Sequence, residues 1–161
     1  RGGDVYARKR SPQKRRLFHA MVRAGADIVH GHHPHGIQPC EEVVVDGHKK
    51  MILYSTGNFI SGQSWRARPE APDDMWARTG DSMIFTLRLH HGNPGPTVTR
   101  FAVDPAYHYR TVDRRVVIGP LPALAEASPV PGWQDFFRGR LAAWKSYVRA
   151  NPIRTPRGVT E

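Results

Sequence analysis

Histidine is concentrated in one short stretch of this sequence. Four of the nine histidines lie between residues 30 and 35, three of them in the run Gly31-His-His-Pro-His35. Imidazole is the commonest side-chain metal ligand and also titrates near neutral pH, so the run suits metal binding or proton transfer. Because Pro34 fixes its own φ and lacks an amide hydrogen, we expect a rigid loop outside helices and central strands. The alternative is an accidental run that acts as a weak surface chelator.

Two of these histidines have the spacing of paired ligands. His33 and His35 flank one residue, and in an extended loop the side chains of residues i and i+2 point the same way. We therefore predict that they bind one divalent transition ion together. Gly31 is expected to let the backbone approach that ligand closely. The affinity should be modest, since so few imidazoles leave coordination positions to water.

The elements that precede the loop should place it at the edge of a sheet. Ser11 is a good N-cap, Pro12 suits the first helical position and Gly25 ends the pattern, which predicts a helix over about 12–24. Residues 27–30 form a short apolar segment, and we predict that it is a strand in the sheet interior. This order is an α/β unit, and it puts the loop at the carboxyl end of a strand, where α/β sheets bind their ligands.

The sequence is strongly basic. Its formal net charge is +10 and its pI is about 10.5, with the densest cluster at Arg8–Arg10 and Lys14–Arg16. Such a cluster suits nucleic acid, anionic lipid or a polyanionic substrate. We favour a solvated helix face, opposite an apolar stripe of Leu17, Met21 and Ala24 with Phe18 and Val22 beside it. No nucleic-acid-binding motif or interleaved aromatic residue accompanies the cluster, which argues against nucleic acid.

A β-hairpin is predicted after the loop. Residues 42–46 and 50–55 are rich in strand-forming side chains, and Asp46-Gly47 between them is typical of a type I′ turn. The hairpin explains these two residues, so we reject the Asp-x-His metal motif that they spell with His48.

The remaining sequence divides into three predicted parts. Strand alternation and a turn predict a second hairpin over about 82–103, with His90 and His91 exposed near its turn, and a terminal helix is predicted near 133–149. The predicted domains are residues 1–119 as the main domain, 120–132 as a Pro-rich linker and 133–161 as the terminal helix and tail.

Composition indicates a globular protein. Hydrophobic residues make up 39% and charged residues 24%. No apolar run reaches the roughly 18 residues that a membrane span needs. The single cysteine, Cys40, excludes an internal disulfide. Since the sequence lacks an initiating Met and a signal-peptide pattern, we expect a fragment of a longer protein, with any targeting signal upstream.

Two sequence blocks resemble a known family. Residues 25–39, with the histidine run, and residues 52–59, which read Ile-Leu-Tyr-Ser-Thr-Gly-Asn-Phe, are similar to the CapA family of poly-γ-glutamate capsule synthesis proteins. That family resembles the calcineurin-like metallophosphoesterases in fold. The resemblance implies an α/β fold, as the C-terminal part of an αββα sandwich with mixed and antiparallel strands and a C-terminal helix. It also implies that residues 1–6 end a family motif, with Asp4 in its acidic position.

The resemblance assigns roles to individual residues. It makes His33 and His35 metal ligands, and it leaves His32 as a third ligand, a partner of a ligand, or the catalytic proton donor. Ser55 and Asn58 lie where the family has its active site and are implied to bind substrate, although Asn58 could instead only stabilise the turn. The implied cofactor is Mn, Zn or Fe, dinuclear in the full-length protein. The other ligands would come from upstream, so this stretch alone should be inactive on phosphoesters.

The implied function is synthesis or export of a capsule polymer, poly-γ-glutamate or a related polyanion, by a metal-dependent hydrolase. Its partners would be an anionic polymer or a phosphoester and the membrane proteins of capsule synthesis. The implied location is the bacterial cell envelope, in association with the membrane. The alternative is a non-catalytic module that keeps the histidine loop and binds a polyanion or nucleic acid.

Overall fold

A computed structural model describes residues 8–93 and 95–153 of the chain. The helices are α1 Pro12–Arg23, α2 Met75–Arg78, α3 Leu121–Glu126 and α4 Gln134–Ala150, with a short 3-10 helix at Gln63–Arg66. The strands are β1 Ile28–His30, β2 Cys40–Val45, β3 His48–Leu53, β4 Asp81–His91, β5 Pro96–Arg110 and β6 Val116–Pro120. The predicted helices and hairpins are confirmed, with small shifts at their ends. The predicted role of Asp4 lies outside the described residues.

Local signals set the ends of α1. The Ser11 side chain accepts a hydrogen bond from the Lys14 amide at 3.1 Å, as an N-cap should. At the other end Gly25 takes a φ of 113°, and the next amide donates to the Met21 carbonyl at 3.1 Å. This is the Schellman arrangement, in which a glycine reverses the chain and satisfies the last carbonyls.

The buried face of α1 differs from the predicted stripe. Phe18 and Val22 are buried, whereas Leu17 and Met21 are 55% and 44% exposed. Burial of side chains of this size stabilises the fold by about 1.5–3 kcal/mol each. Lys14 lies one turn before Phe18 on the same face, so the helix turns this basic residue toward the protein and not toward solvent.

The first sheet has the strand order β1-β3-β2. β1 pairs with β3 in parallel, and β2 and β3 form the predicted hairpin, in which Asp46 and Gly47 have φ values of 51° and 78°. Both values are positive, as a type I′ turn requires. The expectation that residues 27–30 lie in the sheet interior is wrong for the described residues, because β1 is an edge strand and His30 is exposed.

The second sheet is antiparallel, with the order β4-β5-β6. Its inner face carries Phe101, which packs against the first sheet, and Tyr107 and Tyr109, which pack against α3 and α4. The outer face is lined with exposed side chains such as Arg88 and Arg100. In the described residues, α1 therefore covers the outer face of the first sheet, and the inner face of that sheet packs against the second sheet. The α/β class is confirmed, and the four-layer sandwich remains a prediction.

The two sheets are joined by the segment that follows β3. Gly57 forms a β-bridge with Ser82, and the Met83 amide donates to the Thr56 carbonyl at 2.8 Å. Gly57 has a φ of 77°, and a Cβ there would overlap the Asp81 carbonyl oxygen. Only glycine fits this close approach.

The region predicted as a linker contains a helix. Within 120–132, Leu121 and Leu124 of α3 are buried in one cluster with Phe136 and Phe137 of α4. The division of the chain into domain, linker and tail remains a prediction. Arg140 of α4 is also buried and forms a bidentate ion pair with Asp81 of β4, with Nε to Oδ1 at 3.1 Å.

Candidate functional site

The histidine loop lies at the carboxyl end of β1, as predicted. Its first residue, Gly31, is buried, and its amide donates to the Leu53 carbonyl at 2.7 Å. A Cβ on Gly31 would overlap the Phe18 ring and lie 2.8 Å from the Tyr54 carbonyl oxygen. Gly31 therefore admits the Phe18 side chain of α1 and the Tyr54 carbonyl just after β3, and the expected close approach to a ligand stays a prediction.

Lys14 ties the loop to the helix and the first sheet. Its Nζ donates to the carbonyl oxygens of His32 at 3.3 Å and Tyr54 at 2.5 Å, and to Gln38 Oε1 at 3.2 Å. Partial burial lowers the pKa of Lys14, and these acceptors offset the desolvation of the ammonium. The basic cluster is thus not only a solvated face. Arg10 also belongs to the structure, since it pairs with Glu41 at 2.5 Å.

Ser55 holds the loop from the other side. It is buried, its Oγ donates to the Pro34 carbonyl at 3.1 Å, and its own carbonyl accepts from the Gln38 amide at 3.0 Å. These contacts give Ser55 a positioning role in the described residues. Its predicted contact with substrate stays a prediction.

The loop is not extended at its centre. His33 has a φ of 95°, which is strained for a residue with a side chain, so the alternation expected for His33 and His35 does not apply. His30, His32 and His33 are exposed and His35 is half-buried. Strain of this kind persists only where the surroundings hold the backbone in place, and here Lys14 and Ser55 do so.

Asn58 fixes the orientation of His35. Asn58 is only 4% exposed, and its Nδ2 donates to the Thr79 carbonyl at 2.9 Å. Its Oδ1 therefore faces His35 Nδ1, also at 2.9 Å, and His35 Nδ1 must donate. In the neutral ring this tautomer places the lone pair on Nε2. Asn58 thus does more than stabilise its turn.

The surroundings of His32 favour the neutral form of its ring. Its pKa is lowered by partial burial first and then by the neighbouring histidines and Lys14. The rings of His30 and His32 lie 6.1 Å apart, and His30 Nε2 contacts Thr56 Oγ1 at 3.2 Å. A neutral ring suits an ion ligand or a proton acceptor better than a proton donor.

Sequence reasoning missed Arg78 and His108 near this loop, and it placed Arg8 only in the basic cluster. Arg8 and Arg78 line a cavity of about 50 Å³ together with His35, and both also line an adjoining cavity of about 280 Å³. His108 is fully buried, and its Nδ1 donates to the Asn58 carbonyl at 3.1 Å. Burial lowers its pKa, so the ring stays neutral. No local pattern in the sequence marks Arg78 or His108.

The described residues do not complete a metal cage by themselves. Within 8–93 and 95–153, no three His, Cys, Asp or Glu side chains are grouped to hold a metal ion. The assignments of His32, His33 and His35 stay predictions. His90 and His91 are exposed, as expected. No helix in the described part is long and apolar enough to cross a membrane.

Comparison with known proteins indicates the family. Residues 2–63 match the family described as Bacterial capsule synthesis protein PGA_cap. The Capsule biosynthesis protein CapA of Bacillus anthracis is 36% identical over 115 residues, which are 69% of this chain and 27% of that protein. The PGA biosynthesis protein CapA of Bacillus subtilis (strain 168) is 37% identical over 98 residues, 58% of this chain and 25% of that protein. No solved structure matches. The family match and the identities to both relatives support a place for this chain in the CapA family of bacterial capsule synthesis proteins, and the chain spans about a quarter of the length of the curated relatives it matches.

Proposed function

We propose that this chain forms one wall of a metal-dependent hydrolytic site in a protein of capsule polymer synthesis at the cell envelope. In this proposal His33 and His35 bind a divalent transition ion, Mn, Zn or Fe. The fold would be the C-terminal part of a metallophosphoesterase-like αββα sandwich. The packed pair of sheets, with α1 on the outside of the first, supports that fold.

The observation that carries the proposal is the hydrogen bond from His35 Nδ1 to the buried Asn58 Oδ1. Histidines that bind metals almost always donate their other ring N–H to an oxygen of the protein, which sets the tautomer and the ring orientation. Asn58 is itself held by Thr79 and by His108, so the oxygen that faces His35 cannot turn away. This fixed orientation supports His35 as one ligand of the proposed metal.

The charge around His35 supports an anionic substrate. Arg8 and Arg78 bring two guanidinium groups to the cavities beside the ring, and planar guanidinium groups bind phosphate and carboxylate oxygens well. Asp81 lines the smaller cavity, but its carboxylate is paired with Arg140. The proposed substrate is a phosphoester or an anionic polymer such as poly-γ-glutamate.

The residues of this chain would then have separate tasks. A bound divalent ion would lower the pKa of a water ligand and polarise the substrate oxygens. Arg8 and Arg78 would neutralise substrate charge. Neutral His32 would be a third ligand or accept a proton, and Lys14 and Ser55 would keep the loop in place. The remaining ligands would come from the rest of the full-length protein.

Calorimetric titration of the full-length protein with ZnCl₂ or MnCl₂ tests this proposal. We expect His33→Ala and His35→Ala to remove binding at one ion, His32→Ala to weaken it less, and the exposed control His90→Ala to leave it unchanged. Binding should weaken as the pH falls through about 6.5, because protons compete for the ligand nitrogens. Phosphoester hydrolysis that survives both His35→Ala and a chelator would end the proposal.

A second candidate function follows from the same arginines. The two cavities beside His35 would serve a non-catalytic polyanion-binding module equally well. In that case poly-γ-glutamate would bind equally with and without metal, and Arg78→Gln would weaken binding in a salt-dependent way. Metal-dependent turnover would exclude this alternative.

A further inference from the structure

An apolar cavity lies away from the histidine loop, between the second sheet and α4. Its volume is about 380 Å³, within the range of small-molecule pockets. Phe85 and Phe101 form the sheet wall, and Trp144, Tyr147 and Val148 form the helix wall.

Two polar atoms on the helix wall have no hydrogen-bond partner among the described residues. They are Trp144 Nε1 and Tyr147 Oη, both buried, and Tyr147 as a whole is 8% exposed. Folded proteins rarely leave such groups unpaired. Each can donate a hydrogen bond to an oxygen of a bound molecule.

Tyr147 and Cys40 both line this cavity. Burial raises the pKa of Tyr147, and the nearby Cys40 thiol raises it further. The Arg8 guanidinium lies over the Tyr147 ring, with its Cζ 5.2 Å from the ring centre. Burial also raises the pKa of Cys40 to about 11, so its thiol is neutral. The cavity therefore has an uncharged interior with two donors on its helix wall, one of them at its Cys40 end.

A basic cavity of about 420 Å³ adjoins this end. The two cavities share Pro39 and Asn151, and the basic one is lined by Lys9, Arg10 and Arg15. Three cations therefore line this cavity, and two of them, Arg10 and Arg15, pair with Glu41 at 2.5 and 3.3 Å. The N-terminus of the twelve-residue helix α1 adds positive potential at the same place.

We propose that the two cavities together bind a single-chain anionic amphiphile. Its apolar chain lies between the second sheet and α4, and its anionic head lies against Lys9 and Arg15. Tyr147 Oη donates to an oxygen of the head, where the two cavities meet, and Trp144 lies along the apolar chain. This site is independent of the metal proposal, since none of its donors belongs to the histidine loop.

Calorimetry of the full-length protein with dodecyl phosphate and with dodecanoate, below their micelle concentrations, tests the proposal. We expect saturable binding to one site and a change in tryptophan fluorescence that Trp144→Phe reduces. Tyr147→Phe should weaken binding about fivefold to tenfold, as the loss of one hydrogen bond predicts. Lys9→Gln with Arg15→Gln should weaken it more at low salt than at high salt. The head group that binds more tightly identifies the source of the ligand, phosphate or carboxylate.

A matched pair of tryptophan substitutions tests the location. Val148→Trp fills the cavity and should abolish binding, whereas Val112→Trp, on a turn where Val112 is 85% exposed, should not. Equal binding of the uncharged dodecyl maltoside would overturn the proposal, as would unchanged binding in Val148→Trp. Absence of binding combined with concentration-dependent dimerisation would also overturn it, because a second copy would then cover this face.

Discussion

Replacement of Asn58 by leucine is the sharpest test of how the site is built. Leucine has a similar volume, so the change removes two hydrogen bonds without leaving a large cavity. The lost bonds are those from His35 Nδ1 and to the Thr79 carbonyl, both 2.9 Å long. Each hydrogen bond contributes about 1 kcal/mol to stability. Leaving the buried Thr79 carbonyl without a donor costs a further ~1–3 kcal/mol, because water cannot replace the lost donor. We expect the free energy of unfolding to fall by about 3–5 kcal/mol.

Urea unfolding of Asn58→Leu, His35→Ala and the double variant isolates the contact between the two side chains. A coupling of about 1 kcal/mol is expected, because each single change already breaks their hydrogen bond. Metal affinity of Asn58→Leu should fall about 10-fold to 100-fold, as for other residues that orient a ligating histidine. A destabilisation below about 1 kcal/mol, with strict additivity, would refute the idea that Asn58 holds His35.

Three other predictions concern the surroundings of the loop. Lys14→Met should lower the free energy of unfolding by about 1–3 kcal/mol, since buried acceptors lose their donor, while Arg16→Met on the exposed side should change it little; thermal melts compare the two. His33→Gly should be about 1 kcal/mol more stable than His33→Ala, because only glycine tolerates the φ of 95° without strain, and equal melting temperatures would contradict this. His108 is buried with a lowered pKa, so the unfolded chain takes up a proton that the folded ring resists. Stability should therefore fall as the pH drops below about 6.5, and His108→Phe should flatten that slope in urea titrations at pH 7.5 and 5.

The parts of the fold that the sequence predicts are those set by local chemistry. Ser11 and Gly25 mark the two ends of α1, and Asp46-Gly47 forms the turn of the β2–β3 hairpin. Both were predictable because a cap or a positive φ depends on adjacent residues. The buried face of α1 was not predictable in the same way. Its stripe through Phe18 and the stripe through Leu17 are both apolar, and the position of the first sheet decides between them.

Contacts between distant residues explain most of what the sequence does not reveal. Arg140 and Asp81 are separated by 59 positions, and His108 and Asn58 by 50. No spacing rule links such pairs. The prolines of 120–132 suggest a linker, yet Pro122 lies in the first turn of α3, where a missing amide hydrogen costs nothing. The histidine loop was predictable because its residues are adjacent, and its supports were not because they come from α1, β3 and β5.

The join between the two sheets affects how the site can move. The Thr56 carbonyl accepts a hydrogen bond from the Met83 amide, and Gly57 forms a β-bridge with Ser82. Gly57 comes directly before Asn58, the residue that orients His35. A local opening that released the loop would have to separate the sheets at the same time. The histidine loop and the sheet pair should therefore behave as one cooperative unit, and the Met83 amide should exchange its hydrogen only at a free energy close to that of global unfolding. Slow motions that admit a substrate would then have to come from the loops around this unit and not from within it.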